Sequence, residues 1–213
     1  MEITWYGMSC FRITERGKIS IVTDPYDPAI GLPKRNLKAD VVTISHDAPG
    51  HNFVKAVKVG RRVIDGPGEF EIGGVFITGV RRVSKKEKKN GAVQNTLYVF
   101  NFDGLTVAHL GNMATVPSQA QIEELGAVDI ALVPVGGGGA LNPSMAAEVI
   151  SLIEPSIVIP MHYETEENDL GLGTVAGFLK EMGISDQAQL PSLNITKSSL
   201  TEETQVIALA PPK

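Results

Sequence analysis

Val41-Val42-Thr43-Ile44-Ser45-His46-Asp47-Ala48-Pro49-Gly50-His51-Asn52 is the stretch that decides how the rest of this chain is read. Val41 to Ile44 is an apolar, β-branched run with the length of a buried strand. Pro49-Gly50 then breaks the chain into a loop. Two of the four histidines of the protein lie in that loop, five positions apart. Imidazole suits zinc and iron, so His-x-x-x-x-His at the carboxyl edge of a strand is a candidate metal clip. Two solvated or hydrogen-bonded histidines would show the same spacing, and the pair alone does not separate the two readings.

Toward the N-terminus, Ile3 to Tyr6, Cys10 to Thr14 and Ile19 to Thr23 read as a strand meander turning at Glu15-Arg16-Gly17-Lys18. Asp24-Pro25 ends the third strand, and residues 26–40 read as a surface loop leading into the Val41 strand. Toward the C-terminus, Phe53 to Val59 reads as a short helix. Arg62-Val63-Ile64 and Gly74 to Thr78 read as strands flanking a turn at Gly66 to Gly68. The charge run from Ser84 to Gly91 reads as a solvated loop, with an anion-attracting flap as the alternative. Thr96 to Phe102 and Leu105 to His109 predict a hairpin around Asp103-Gly104.

Ser118-x-x-Gln121 is a capping-box pattern, opening a helix that stops at Gly126. Ile130 to Val135 is a wholly apolar strand. The four glycines from Gly136 to Gly139 lack a following Gly-Lys-Ser/Thr, so they read as a close turn bordering a cleft rather than a phosphate cradle. Asn142-Pro143 starts a helix that runs to about Ile153. Ile157-Val158-Ile159 is a strand carrying Pro160 and His162 at its end. Thr174 to Met182 is a helix closed by Gly183, and Val206 to Leu209 is a last strand.

The chain has 213 residues, 43% hydrophobic and 20% charged, which is ordinary for a soluble globular protein. No internal linker is visible, so residues 1–213 are expected to form one domain. The net charge of −5 argues against a nucleic-acid partner. The single cysteine, Cys10, lies in an apolar strand and reads as a small hydrophobe. No basic-then-apolar leader and no membrane-length apolar run occurs. A cytosolic protein acting on a small molecule, with no membrane partner, is the expectation.

The opening stretch resembles a known signature with positions overwritten. Ser45-His46-Asp47-Ala48-Pro49-Gly50-His51-Asn52 is similar to the Ser-His-x-His-x-Asp-His-Asn motif of the metallo-β-lactamase superfamily. Gly7-Met8-Ser9-Cys10-Phe11 resembles the Gly-His-Ser-Cys-Phe start of that family, with Met8 in place of His. Gly66-Pro67-Gly68-Glu69-Phe70-Glu71, Asn95-Thr96-Leu97-Tyr98, His109-Leu110-Gly111-Asn112 and Ile159-Pro160-Met161-His162-Tyr163 are similar to family segments in the same order. The nearest branch is the ascorbate-6-phosphate-lactonase-like group of Zn-dependent hydrolases. The resemblance implies an α/β fold, a four-layer αββα sandwich. The family's two-fold internal repeat is not visible in the sequence.

The resemblance also implies a site. In the family, two metals share a set of histidines, an aspartate and a bridging aspartate, and together they activate water. His46, His51 and His162 fall on ligand positions. Ala48 stands where a ligand His belongs, Gly50 where the ligand Asp belongs, and Asn112 where the bridging Asp belongs. The remaining ligand His falls near Ser84. Both carboxylate positions are thus replaced, and the site is expected to lack a carboxylate. His109 matches a family histidine and reads as packing beside the site, with recruitment to a metal as the alternative. No residue is assigned as catalytic, no full complement of metal is expected, and three histidines leave room for one zinc. Three functions follow: a metal-poor binding or regulatory relative, a mononuclear hydrolase of a lactone or phosphoester, or an interaction subunit with a vestigial cleft.

Overall fold

A computed structural model of the chain describes residues 1–82, 94–185 and 187–212. Ser84 and the whole charge run that begins there lie outside the described residues.

The first sheet starts as the expected meander. Strands β1 (Glu2–Trp5), β2 (Phe11–Thr14) and β3 (Ile21–Thr23) pair antiparallel. The long connection after β3 then brings β4 (Leu37–Thr43) parallel to β3, and β5 (Val57–Ile64) parallel to β4. The second sheet repeats this plan. Strands β6 (Gly68–Ile72), β7 (Val75–Arg82), β8 (Asn95–Phe102) and β9 (Leu105–His109) are antiparallel, and β10 (Ile130–Pro134) and β11 (Ile157–Met161) add on in parallel. The two-residue strands β12 (Leu193–Asn194) and β13 (Gln205–Val206) complete the β1 and β11 edges. The repeat invisible in the sequence is therefore present in the pairing order.

The sheets pack face to face over one apolar cluster. Trp5, Phe11, Ile13 and Ile21 from the first sheet meet Tyr98, Phe100, Val107 and Ile130 from the second. Side chains alternate across a strand, so Val22 and Val42 point the other way, into a second cluster with Tyr26 and Leu32. The connection after β3 thus covers the outer face of the first sheet. Arg35 holds it down, bonding the Tyr26 hydroxyl, the Glu167 carboxylate and the Pro212 carbonyl. β10 and β11 are buried at every position, as parallel strands covered on both faces must be.

Helices α1 (Gln119–Glu123), α2 (Pro143–Ile153) and α3 (Val175–Glu181) all follow β9 in the chain. Their caps are those read from sequence. The Ser118 N–H donates to Gln121 Oε1 at 2.9 Å, and Asn142 Oδ1 accepts the Met145 N–H at 3.0 Å. The architecture is an α/β sandwich of two mixed sheets with few helices, as expected. Among the described residues no helix is long and apolar enough to cross a membrane.

Some elements differ from the sequence reading. The helix expected over Phe53 to Val59 is one 3-10 turn, Val54–Ala56, and Val57 begins β5. Pairing with β4, Leu37 opposite Val57, overrides a weak local helix preference. β6 is unforeseen: Gly-Glu-Phe-Glu-Ile is a half-exposed edge strand, turned back by Gly73 and Gly74 at φ 54 and 74°. α1 ends at Glu123, before Gly126. The last strand is Gln205–Val206, and Leu209 makes only a bridge to Leu190.

Candidate metal centre

The parallel register of β3 and β4 sets Thr23 opposite Thr43, so both strands end side by side. Asp24 follows β3 with its N–H on the Thr43 carbonyl at 2.9 Å. Its fully buried carboxylate collects three donors. The Ser45 N–H reaches Oδ1 at 2.7 Å, Ser45 Oγ reaches Oδ2 at 2.5 Å, and His51 Nδ1 lies 2.8 Å from Oδ2. His46 Nδ1 is 3.2 Å from the same Ser45 Oγ. Since Ser45 spends its proton on Asp24, it accepts from His46. Both histidines are thereby fixed with the proton on Nδ1 and a free lone pair on Nε2. This is the carboxylate–histidine arrangement that orients metal ligands.

Backbone bonds hold the loop that carries them. The His51 N–H donates to the Ala48 carbonyl at 2.8 Å, the Asp27 N–H to Pro49 at 2.8 Å and the Phe53 N–H to Pro25 at 2.7 Å. His162 comes from the other sheet, one residue past β11. Its N–H donates to the Met8 carbonyl at 3.0 Å, and its carbonyl accepts the Gly136 N–H at 3.0 Å. Gly136 is glycine for that reason: a Cβ there would run into the His162 carbonyl oxygen. Met8, Asp24 and His162 have φ of 49, 39 and 54°. They are three of the five non-glycine residues with positive φ among the described residues. Such strain costs about 1–3 kcal/mol each and persists where surroundings over-determine it.

The rings converge. His46 and His51 have centroids 3.9 Å apart, and His51 and His162 stack at 5.5 Å. Ligand atoms of Asp24, His46 and His51 lie within 4.8 Å of one another. Burial pushes His46 down to about 4, and His51 and His162 to about 3. All three are neutral at pH 7, the form that binds metal. Burial raises the Asp24 pKa, while nearby His109 and the Ser45 bonds act against it.

The remaining sequence candidates fall around this cluster. His109 is fully buried: its Nε2 donates to the Ser9 carbonyl at 2.9 Å and its Nδ1 accepts the Gly111 N–H at 3.2 Å. With both nitrogens engaged it packs edge-on against Phe11 and keeps no free lone pair for a metal. Asn112 anchors its own N–H on Asn95 Oδ1 at 2.9 Å. Its side-chain Oδ1 and His162 Nδ1 are both buried without a partner among the described residues. Ala48 contributes no donor. Gly50 lies outside the left-handed region, and a Cβ there would meet the Met8 methyl at 3.6 Å and Ile30 Cδ1 at 3.8 Å.

Asp24 corrects the expectation that the site lacks a carboxylate. The available signal was an acid directly after the apolar strand β3, Thr23-Asp24-Pro25. Among the described residues the group close enough to share one ion is Asp24, His46 and His51, and His162 stacks on His51 beside it. A cleft of about 490 Å³ opens beside His46, lined by Ser45, Asp47, Asn52, Asp65 and Arg81 among others.

Residues 2–162 match the family model described as Beta-lactamase superfamily domain. A UPF0173 protein of Pyrococcus abyssi is 31% identical over 199 residues, covering 85% of this chain and 90% of the relative. A UPF0173 metal-dependent hydrolase of Thermococcus onnurineus is 28% identical, covering 78% and 85%. A crystal structure from Thermotoga maritima, described as a candidate Zn-dependent hydrolase of the metallo-β-lactamase superfamily, superposes with a TM-score of 0.79. That chain is 38% identical, with 98% of this chain and 97% of the other covered.

Proposed function

This chain belongs to the metallo-β-lactamase superfamily, and from that premise we propose that it is a metal-poor member whose cleft binds a small molecule. It holds at most one metal ion, on His46, His51 and His162, and is not a dinuclear hydrolase. One observation carries this reading. Where the family resemblance puts a ligand carboxylate, Gly50 faces the Met8 methyl and the Ile30 side chain. An apolar wall does not stabilise a second cation. Ala48 and Asn112 act in the same direction, since neither supplies a charge. The ordered motifs favour the ascorbate-6-phosphate-lactonase-like branch, with the chain working as one unit.

A second reading, a mononuclear hydrolase of lactones or phosphoesters, is favoured by the Asp24 clamp. A metal bound by the three histidines would supply Lewis acidity and a bound water of lowered pKa. The chain's own part is positioning. Asp24 holds His51 directly and His46 through Ser45, Met8 and Gly136 hold the His162 backbone, and the buried rings exclude bulk water.

Elemental analysis of untagged protein tests the first reading, with no more than one zinc per chain expected. About two metals per chain would overturn it. Hydrolysis of a generic lactone or phosphodiester by protein loaded with one zinc, abolished by Asp24→Asn, would decide for the second reading.

A further inference from the structure

The cleft beside His46 has a wall of its own chemistry. About 490 Å³ is within the usual range for small-ligand sites, roughly 300–1,000 Å³. Its floor is buried: Ile44, Ser45 and His46 at the end of β4. Its wall comes from separate elements. Asn52 closes the histidine loop, Asp65 follows β5, and Arg81 stands near the end of β7 opposite Thr96.

Arg81 is the cation of this wall. Its guanidinium lies against the bare Cα of Gly66, where an added Cβ would come within 3.3 Å of the terminal nitrogen. Among the described residues it forms no ion pair or hydrogen bond. A planar guanidinium presents paired N–H groups that match a carboxylate or phosphate. Two acids oppose a simple anion. Asp47 already accepts a hydrogen bond from the Asn52 amide. Asp65 remains, exposed, beside the glycine that makes room for Arg81. A carboxylate accepts only, so an occupant needs a hydroxyl or amine to set against it.

From this juxtaposition we infer that the cleft takes a small hydroxylated or amino-bearing anion, its oxyanion on Arg81 and its donor group on Asp65. This names the ligand class for the binding role proposed above and rests on that reading. The bound molecule then lies across the mouth of the cleft with its near end toward His46. A metal on the three histidines would sit at that end, but the anchoring contacts do not require it.

Calorimetric titration of the full chain tests this, once after EDTA treatment and once with one equivalent of zinc. The probes are glycerol 3-phosphate and glycerate, with methyl phosphate and propionate as partners of like charge that lack hydroxyls. A charged hydrogen bond contributes about 1.5–3 kcal/mol, so Arg81→Gln should weaken the hydroxylated anion by roughly tenfold to a hundredfold. Arg81→Lys should recover part of this. Asp65→Asn should narrow the gap between hydroxylated and plain anions. Lys180→Gln, an equal charge change on α3, should do neither. The stronger of the two hydroxylated probes tells phosphate from carboxylate.

Binding unchanged in Arg81→Gln, no heat from either hydroxylated probe in either metal state, or equal binding of the plain anions would each overturn the inference. Metal counts on the same wild-type preparation keep the two proposals apart. Two metals with Arg81-dependent binding would sink the metal-poor reading and leave the ligand assignment. One metal with no anion binding would do the reverse.

Discussion

Asp24 Oδ2 stands 2.8 Å from His51 Nδ1, with both side chains buried and the Asp24 backbone at φ 39°. The same carboxylate reaches His46 through Ser45 Oγ. Asp24→Asn keeps the shape and tolerates a left-handed backbone, but its amide no longer offers the same carboxylate acceptors. Zinc affinity of the variant should fall by roughly 10–100-fold, the usual effect of losing a carboxylate behind a ligand histidine. Competition with a zinc dye, alongside a circular-dichroism check of the fold, measures it. Unchanged affinity would show that Asp24 is only a packing group.

Stability should fall with acid, and the sign follows from the histidines. His46, His51 and His162 are held down at about 4, 3 and 3, against about 6.5 in an unfolded chain. Between pH 6.5 and 4 the unfolded state binds more protons, so stability is lost as pH falls through that window. Asp24, raised by burial, pulls the other way above its ordinary value. Three histidines outweigh one acid there. Urea midpoints of EDTA-treated protein should drop from pH 7.5 to pH 5, and a flat profile would contradict the depressed values.

Gly136→Ala places a methyl against the carbonyl that fixes His162. Overpacking of this kind typically costs about 1–3 kcal/mol. A lower melting temperature with weakened zinc binding is expected. A variant that melts and binds like wild type would mean the Gly136–His162 contact is loose.

Rebuilding the ligands should return metal only in part. Ala48→His, Gly50→Asp, Ser84→His and Asn112→Asp together restore the family pattern around His46, His51 and His162. Gly50 has no positive φ to forbid a side chain, and a new Cβ would make only ordinary contact with the Met8 methyl at 3.6 Å, so what opposes the new carboxylate is the apolar character of that neighbour. The quadruple variant should therefore take up less zinc than a quintuple variant that also carries Met8→His. Single changes should do little, because ligands of one ion are not additive. Calorimetry that finds the quadruple variant, still folded, with no zinc binding at micromolar concentration would argue that the cleft was rebuilt for another purpose.

Much of the fold was legible because its signals are local. β-branched runs, the Asp103-Gly104 turn and the Asn142-Pro143 cap each act within a few residues, and all appear in the structure. The first half of β5 and all of β6 escape a local reading because half-exposed edge strands take their conformation from neighbours rather than from themselves.

For the site, the sequence by itself determined the identities of His46, His51 and His162 and of the side chains at 48, 50 and 112, because covalent identity settles which donors exist at a position. Only the tertiary structure decided what those donors face. The parallel register of β3 on β4 delivers Asp24 to Ser45 and His51, and the meeting of the two sheets ties the His162 backbone to Met8. Those bonds join residues far apart in the chain. Their register is set by the packing of both sheets over one core, which no local stretch encodes.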